Sequence, residues 1–221
     1  MVQYKLYYFP FKGLGEGVRL ILNHVGENWE DVRITSEEWW QEGKKKSMDQ
    51  GVMPMLEFDG KHLSQSMAIA KYFALHHKEL QIADQWEEVK AEEALLGWSD
   101  MVARFTPIPI GVKEPELKKK MHEEVYKIFM EPRLRYYDTH FGQNSSGLTT
   151  SKLSWADFLN YAWINIMISF FNPDLRQYKN IVRFLETMEN IPSVKAWNEK
   201  HREPWTVLDN IPPEKWELKL T

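Results

Sequence analysis

The chain has 221 residues, of which 43% are hydrophobic and 27% are charged. This composition is typical of a soluble protein with one large or two small domains, which can bury a core without a disulfide or a metal. The chain contains no cysteine, and this excludes disulfides, thiolate metal sites and a thiol nucleophile of its own. The net charge of −4 argues against nucleic acid as the main partner.

The N-terminus shows no targeting signal, because strand-like residues follow Met1 without an apolar signal core. The longest uncharged stretch, 158–173, is about sixteen residues long, whereas a membrane helix needs about twenty. The seven histidines are scattered and predict no metal site. We therefore expect a cytoplasmic protein with no membrane partner and no bound metal.

The first third of the chain alternates short strands and helices. Residues 4–9 and 28–34 are rich in strand-forming residues, and a helical pattern lies between them. The dipeptide Asp59-Gly60 between two short apolar runs predicts a β-hairpin, and Ser64 opens a further helix. The predicted order is strand, helix, strand, helix or loop, strand, strand and helix.

The rest of the chain carries helical patterns that are separated by prolines. Ser154 and Asp157 form a capping-box pattern at the start of the most apolar helix. A small α/β unit followed by a helical unit creates a cleft between them, which is a common place for small ligands. The predicted helices cover 86–105, 116–141, 154–171, 178–188 and 193–200.

The glycine-rich stretch 13–17 lacks the third glycine of a dinucleotide fingerprint and the ending of a phosphate-binding loop. Nothing resembles a serine nucleophile elbow or triad. Taken alone, these residues indicate only an α/β plus all-α protein with a cleft between its two parts.

Several stretches between about residue 3 and residue 206 form one larger pattern. They are Tyr4 to Phe9; Gly13, Gly15, Glu16 and Arg19; Gly51 to Glu57 with Asp59-Gly60; Gln65 to Ala70; Ser154 to Phe158; and Ile191 to Trp197. Together they resemble one enzyme family, the sigma-class glutathione transferases, and its invertebrate members above all. The resemblance implies a thioredoxin-like domain of order βαβαββα over 1–80, an all-helical domain over 81–221, and a cytoplasmic homodimer.

The resemblance implies that Tyr8 is the catalytic residue, with glutathione as co-substrate. The nucleophile is the thiolate of glutathione, and a thiol with an ordinary pKa of about 8.5 is only about 3% ionised at pH 7. A tyrosine hydroxyl that donates to the sulfur favours the anion, which then adds to an apolar electrophile. At strand spacing Tyr4 shares the face of Tyr8, whereas Tyr7 points the opposite way.

The resemblance also implies how the rest of glutathione binds. The main chain of Met53, before a cis Pro54, would bind the cysteinyl part, and the start of the helix at Gln65 would take the γ-glutamyl carboxylate. Asp100 would reach the γ-glutamyl amine across the dimer interface. The implied glutathione-binding residues are Tyr8, Trp39, Lys45, Gly51, Val52, Met53, Pro54, Gln65, Ser66 and Asp100.

Trp39 and a lysine would bind the glycyl carboxylate, but the interval from Trp39 to Pro54 is about two residues longer than in the family pattern. Counting back from Pro54 favours Lys45. Counting forward from Trp39 leads to Gly43, with Lys44 beside it. The choice among Lys44, Lys45 and Lys46 therefore stays open at this point.

Phe9, Leu14, Met101 and Phe105 are candidates for lining the electrophile pocket. Prostaglandin-isomerising vertebrate members have arginine at the position of Leu14, so that activity is in doubt. The tail 207–221 either folds over the cleft or covers the helical domain. The alternatives to a transferase are a non-catalytic binding or crystallin-like protein on the same scaffold, and a glutathione-dependent peroxidase or isomerase.

Overall fold

In the computed structural model, residues 3–105 and 114–206 are described, without the side chains of residues 103 and 105. The N-terminal part contains a four-stranded sheet in the order β2-β1-β3-β4, where β1 is parallel to β2 and β3 is antiparallel to β1 and β4. The strands are β1 (Tyr4–Tyr8), β2 (Trp29–Arg33), β3 (Met55–Phe58) and β4 (Lys61–Ser64).

Three helices accompany the sheet, and the remainder of the described chain is helical, so the predicted fold class and element order are confirmed. The first three are α1 (Glu16–Val25), α2 (Ser36–Trp40) and α3 (Ser66–His76). The others are α4 (Gln85–Phe105), α5 (Pro115–Val125), α6 (Glu131–Gln143), α7 (Trp155–Phe171), α8 (Lys179–Glu189) and α9 (Pro192–Lys200).

Two predicted helices begin or continue differently in the structure. The helix predicted over 116–141 is divided into α5 and α6 by a π-helical turn at Tyr126–Met130. This wide turn precedes Pro132, which has no N–H to donate and whose ring clashes with the preceding turn of a regular helix. Ser64 ends β4 rather than opening α3, which begins at Ser66.

The core joins the sheet part to the helical part. The apolar helix α7 packs against α1 and α3 on one side and against α4 and α8 on the other. Its N-terminus is held by Asp157, which accepts hydrogen bonds from the N–H groups of Ser154 (2.8 Å) and Thr149 (2.7 Å). The predicted cap is therefore present, and it fixes the start of α7, against which α1 packs. Within the described ranges, every helix is too short or too polar to span a bilayer.

Candidate active site

Three chain segments meet at one edge of the sheet. The register pairs Tyr7 with Met55, and Met55 with Ser64. The end of β1, the start of β3 and the end of β4 are therefore neighbours. Tyr8 lies beside the segment that leads into β3, where the Met53–Pro54 bond is cis as predicted. The structure thus brings Tyr8 close to this segment and to the start of α3.

The three tyrosines of β1 alternate between the two faces of the sheet, as strand spacing predicts. Tyr4 and Tyr8 are both buried, with 5% of each side chain exposed. Tyr7 faces the other way, and its hydroxyl donates to Glu57 Oε2 at 2.7 Å. Burial, together with this hydrogen bond, raises the pKa of Tyr7 to about 12. Tyr7 is therefore a structural residue and serves below as a control.

The hydroxyl oxygen of Tyr8 accepts a hydrogen bond from the backbone N–H of Leu14 at 2.9 Å. Burial raises the pKa of Tyr8 to about 12, although the Leu14 N–H and the positive charge of Arg19 act in the opposite direction. Tyr8 is therefore protonated at neutral pH. Its hydroxyl can donate its own proton to an acceptor while its oxygen is held by Leu14.

Two glycines let the backbone close onto the Tyr8 ring. A Cβ at Gly13 would lie 2.6 Å from Tyr8 Oη, and a Cβ at Gly15 would lie 2.7 Å from Tyr8 Cγ. Real Cβ atoms do not approach other atoms this closely, and Gly13 also has a positive φ of 45°. The glycine-rich stretch, for which the sequence suggested no ligand, therefore packs against the candidate catalytic side chain.

A buried arginine beneath Tyr8 was missed as a functional residue. Arg19 was noted only as part of the first helix, yet its side chain is fully buried and its Cζ lies 5.5 Å from the centroid of the Tyr8 ring. An arginine among the apolar residues of α1 is the signal that could have found it, because buried guanidinium groups require dedicated partners.

On the opposite face of the sheet, Trp39 is anchored in a small second core. The helix α2 that carries it starts with a capping box between Thr35 and Glu38. The indole packs edge-to-face on Phe9 at a centroid distance of 5.8 Å. The other members of this core are Ile34, Met48 and Met55, with Tyr7, Val32 and Met53 packed against it.

The lysine run lies on a short 3₁₀ helix, Lys44–Ser47, whose lysines are exposed. Lys45 Nζ lies 4.8 Å from the Trp40 ring centroid, and the Lys45 side chain lies beside Gly51, 3.7 Å from where a Cβ would stand. Lys45 is thus in contact with the segment that leads to Pro54. This contact favours Lys45 over its two neighbours for the carboxylate role.

The start of α3 is shaped by Gln65. This residue has φ 77° and ψ 116°, a region that residues other than glycine rarely adopt. Its side-chain amide donates to Gln50 Oε1 at 3.0 Å, which ties α3 to the segment before β3. The first N–H groups of α3, beginning at Ser66, carry the partial positive charge that favours a carboxylate. Val52 is exposed at the same edge.

The residues expected to line the electrophile pocket differ in their burial. Phe9 and Leu14 are half-buried, and Phe9 stacks on Phe11 at 5.6 Å and contacts Tyr8 edge-to-face. Met101 is only 1% exposed and packs in the main core, and its assignment to the pocket stays a prediction. It lies two helical turns from Ala94, on the buried face of α4.

Three further predictions concern residues on α4 and in the tail. Asp100 is exposed on α4. The side chain of Phe105 and the tail 207–221 lie outside the described residues. The chain just before the tail reaches the site, because Pro204 and Trp205 accept hydrogen bonds from the N–H groups of Lys12 and Gly13, each at 2.9 Å.

Comparisons with known proteins agree with this geometry. Residues 2–74 match the profile of the glutathione S-transferase N-terminal domain, and residues 99–201 match that of the C-terminal domain. Glutathione S-transferase 3 of Caenorhabditis elegans is 32% identical over 208 residues, which cover 92% of this chain and 99% of that protein.

Two solved structures show the same architecture. Prostaglandin synthase D of Nilaparvata lugens is 28% identical with a TM-score of 0.81, over 91% of this chain and 100% of that one. A Nu-class glutathione S-transferase of Haemonchus contortus is 28% identical with a TM-score of 0.77, over 91% of this chain and 98% of that one. The chain belongs to the glutathione S-transferase family, and its activity is the transfer of glutathione.

Proposed function

We propose that the hydroxyl of Tyr8 donates a hydrogen bond to the sulfur of glutathione and so keeps it as a thiolate, which adds to an apolar electrophile. The observation that carries this proposal is the state of Tyr8. Burial keeps the phenol protonated, and Leu14 holds its oxygen at 2.9 Å. A neutral, fixed O–H group is what a thiolate acceptor requires.

The remaining residues at this edge would orient the tripeptide. The main chain of Met53, next to Gly51, Val52 and the cis Pro54, would bind the cysteinyl part as an added strand. Gln65 and Ser66 would receive the γ-glutamyl carboxylate, and Trp39 with Lys45 the glycyl carboxylate. Holding the sulfur in place turns a bimolecular encounter into a positioned reaction.

The electrophile would enter beside Phe9 and Leu14, with Phe105 at the end of α4 as a third candidate. The half-buried aromatic surface of Phe9 suits a flat apolar compound. The role of the reaction would be the detoxification of such compounds. Leu14 has no positive charge, whereas vertebrate prostaglandin-isomerising members have arginine there. We therefore favour addition to electrophiles over prostaglandin isomerisation, and assign the chain to the sigma class on its first-strand and cis-proline motifs.

The active form would be a cytoplasmic homodimer. Each chain would consist of two domains, 1–80 and 81–221. Trp86, Val89 and Leu96 are large apolar side chains exposed along α4. Asp100 follows Leu96 by one helical turn, on the same face. A second copy that covers this stripe would bury apolar surface and bring Asp100 near the glutathione of its partner.

The test compares Tyr8→Phe with Tyr7→Phe in a steady-state assay with glutathione and an aryl halide. Loss of the Tyr8 hydroxyl should reduce kcat by about 10- to 100-fold, the effect of a one- to two-unit rise in the thiol pKa. Calorimetry should show that glutathione still binds. Tyr7→Phe should retain its activity, because that hydroxyl faces Glu57. A Tyr8→Phe enzyme as active as the wild type would remove Tyr8 from the mechanism.

A further inference from the structure

The loop 9–13 follows β1 and leads to Leu14, whose N–H holds Tyr8. Arg19 lies beneath it and donates to three of its carbonyl oxygens. Nη2 bonds to the carbonyl of Phe9 at 3.1 Å, and Nη1 bonds to those of Phe11 at 3.0 Å and Lys12 at 3.1 Å. A planar guanidinium can reach several acceptors at fixed angles at once, which a lysine ammonium cannot do.

The charge of Arg19 is balanced inside the protein. Nη1 lies 3.3 Å from Glu16 Oε2, and Nε lies 3.1 Å from Asp31 Oδ1. Glu16 is itself buried and also accepts from Trp197 Nε1 at 2.8 Å. Arg19 is therefore held by α1, by β2 and indirectly by α9, so it is a rigid support for the loop.

The N–H groups of the same loop bond in the other direction. Lys12 and Gly13 donate to the carbonyls of Pro204 and Trp205. The next N–H in the chain is that of Leu14, which donates to Tyr8. Arg19 thus fixes three carbonyls of the loop, and the segment 204–205 fixes two N–H groups of the same loop. The following N–H, that of Leu14, points at the Tyr8 hydroxyl.

We propose that Arg19 is a positioning residue for the transfer of glutathione: its guanidinium fixes the loop 9–13 through the three carbonyls and so holds the Leu14 N–H on the oxygen of Tyr8. This inference rests on the proposed role of Tyr8. Without Arg19 the loop carbonyls and the two carboxylates lose their common donor. The Leu14 N–H then leaves Tyr8, and the phenol becomes a weaker donor to the sulfur.

The experiment compares Arg19→Lys with Arg183→Lys. Arg183 is the control, because its guanidinium also donates to two backbone carbonyls, those of Phe141 in the last turn of α6 and of Asn144 just after it, away from Tyr8. We expect Arg19→Lys to lower kcat at least 10-fold and to change the KM for glutathione less than threefold. The acidic limb of the pH–rate profile should move to higher pH. Arg183→Lys should leave all three unchanged.

Two readouts need no catalysis and separate this inference from the role of Tyr8. In the ligand-free enzyme, the titration of the Tyr8 phenol is read as the ultraviolet difference between each protein and the same protein carrying Tyr8→Phe. The midpoint of this titration should shift in Arg19→Lys but not in Arg183→Lys. In the wild type, hydrogen exchange at the Leu14 amide should be as slow as in the core of α1. This second readout stands even if Arg19→Lys does not fold. Rapid exchange at Leu14, or an Arg19→Lys enzyme with the wild-type pH profile, overturns the proposal.

Discussion

The two ends of the proposed glutathione site are built differently. At the sulfur end, Tyr8 is buried and the loop beside it bonds to Arg19 and to the segment 204–205. At the glycyl end, the lysines lie exposed on a short 3₁₀ helix, and Lys45 contacts Trp40 and Gly51. A group that acts on the reacting atom needs a fixed position, whereas a lysine can follow a carboxylate with its flexible side chain. Changes at the sulfur end should therefore lower kcat, and changes at the glycyl end should raise KM.

The largest effect of a small change is expected for Gly15→Ala. The new methyl group would stand 2.7 Å from Tyr8 Cγ, so the ring or the loop must move. A displacement of about 1 Å at a reacting group can cost about 100-fold in rate. Steady-state kinetics should show this loss mainly in kcat.

The control for this change is Gly26→Ala, at a glycine with open space around its Cβ position. It should cost about 1 kcal/mol of unfolding free energy, because φ is +70°, and leave kcat intact. Full activity in Gly15→Ala would show that the ring is not confined as described.

A smaller effect is expected at the glycyl end. Lys45→Ala should raise the KM for glutathione about 3- to 10-fold, since it removes a charge-assisted hydrogen bond of roughly 1 kcal/mol, and leave kcat within twofold. Lys46→Ala, an exposed neighbour, should have no effect. An increase in KM with Lys44→Ala instead would assign the carboxylate to that lysine and contradict the contact-based choice.

The smallest effect is expected for Asp100→Asn. A partner-supplied carboxylate that contacts one amine at an exposed site should change the KM for glutathione by about two- to threefold. Sedimentation should show a dimer for both the wild type and the variant. A wild-type protein that is monomeric and fully active would show that Asp100 does not contact glutathione bound to a second copy.

Features that depend on residues close together in the sequence were predictable from it. The Asp59-Gly60 hairpin, the alternation of Tyr7 and Tyr8 and the Asp157 cap follow from turn chemistry, strand period and capping spacing, and all three are present. The cis bond before Pro54 came from the family resemblance, because most proline bonds are trans.

Features that depend on packing between distant parts of the chain were not predictable. The burial of Arg19 requires β2 and the loop 9–13 to meet α1, and its loop is completed by residues 204–205 from the far end of the described chain. The burial of Met101 in the main core likewise depends on the helices that pack against α4, and its place in the pocket stays a prediction. Composition and periodicity contain no information on such contacts.

The most direct test is a spectroscopic titration of glutathione bound to the wild type and to Tyr8→Phe. The pKa of Tyr8 is raised to about 12, so below pH 10 the bound thiol is the group expected to ionise at the sulfur end. In the wild type its midpoint should fall about two units below the ordinary thiol value of about 8.5, and in Tyr8→Phe it should return toward that value. Equal midpoints in the two proteins would contradict the account.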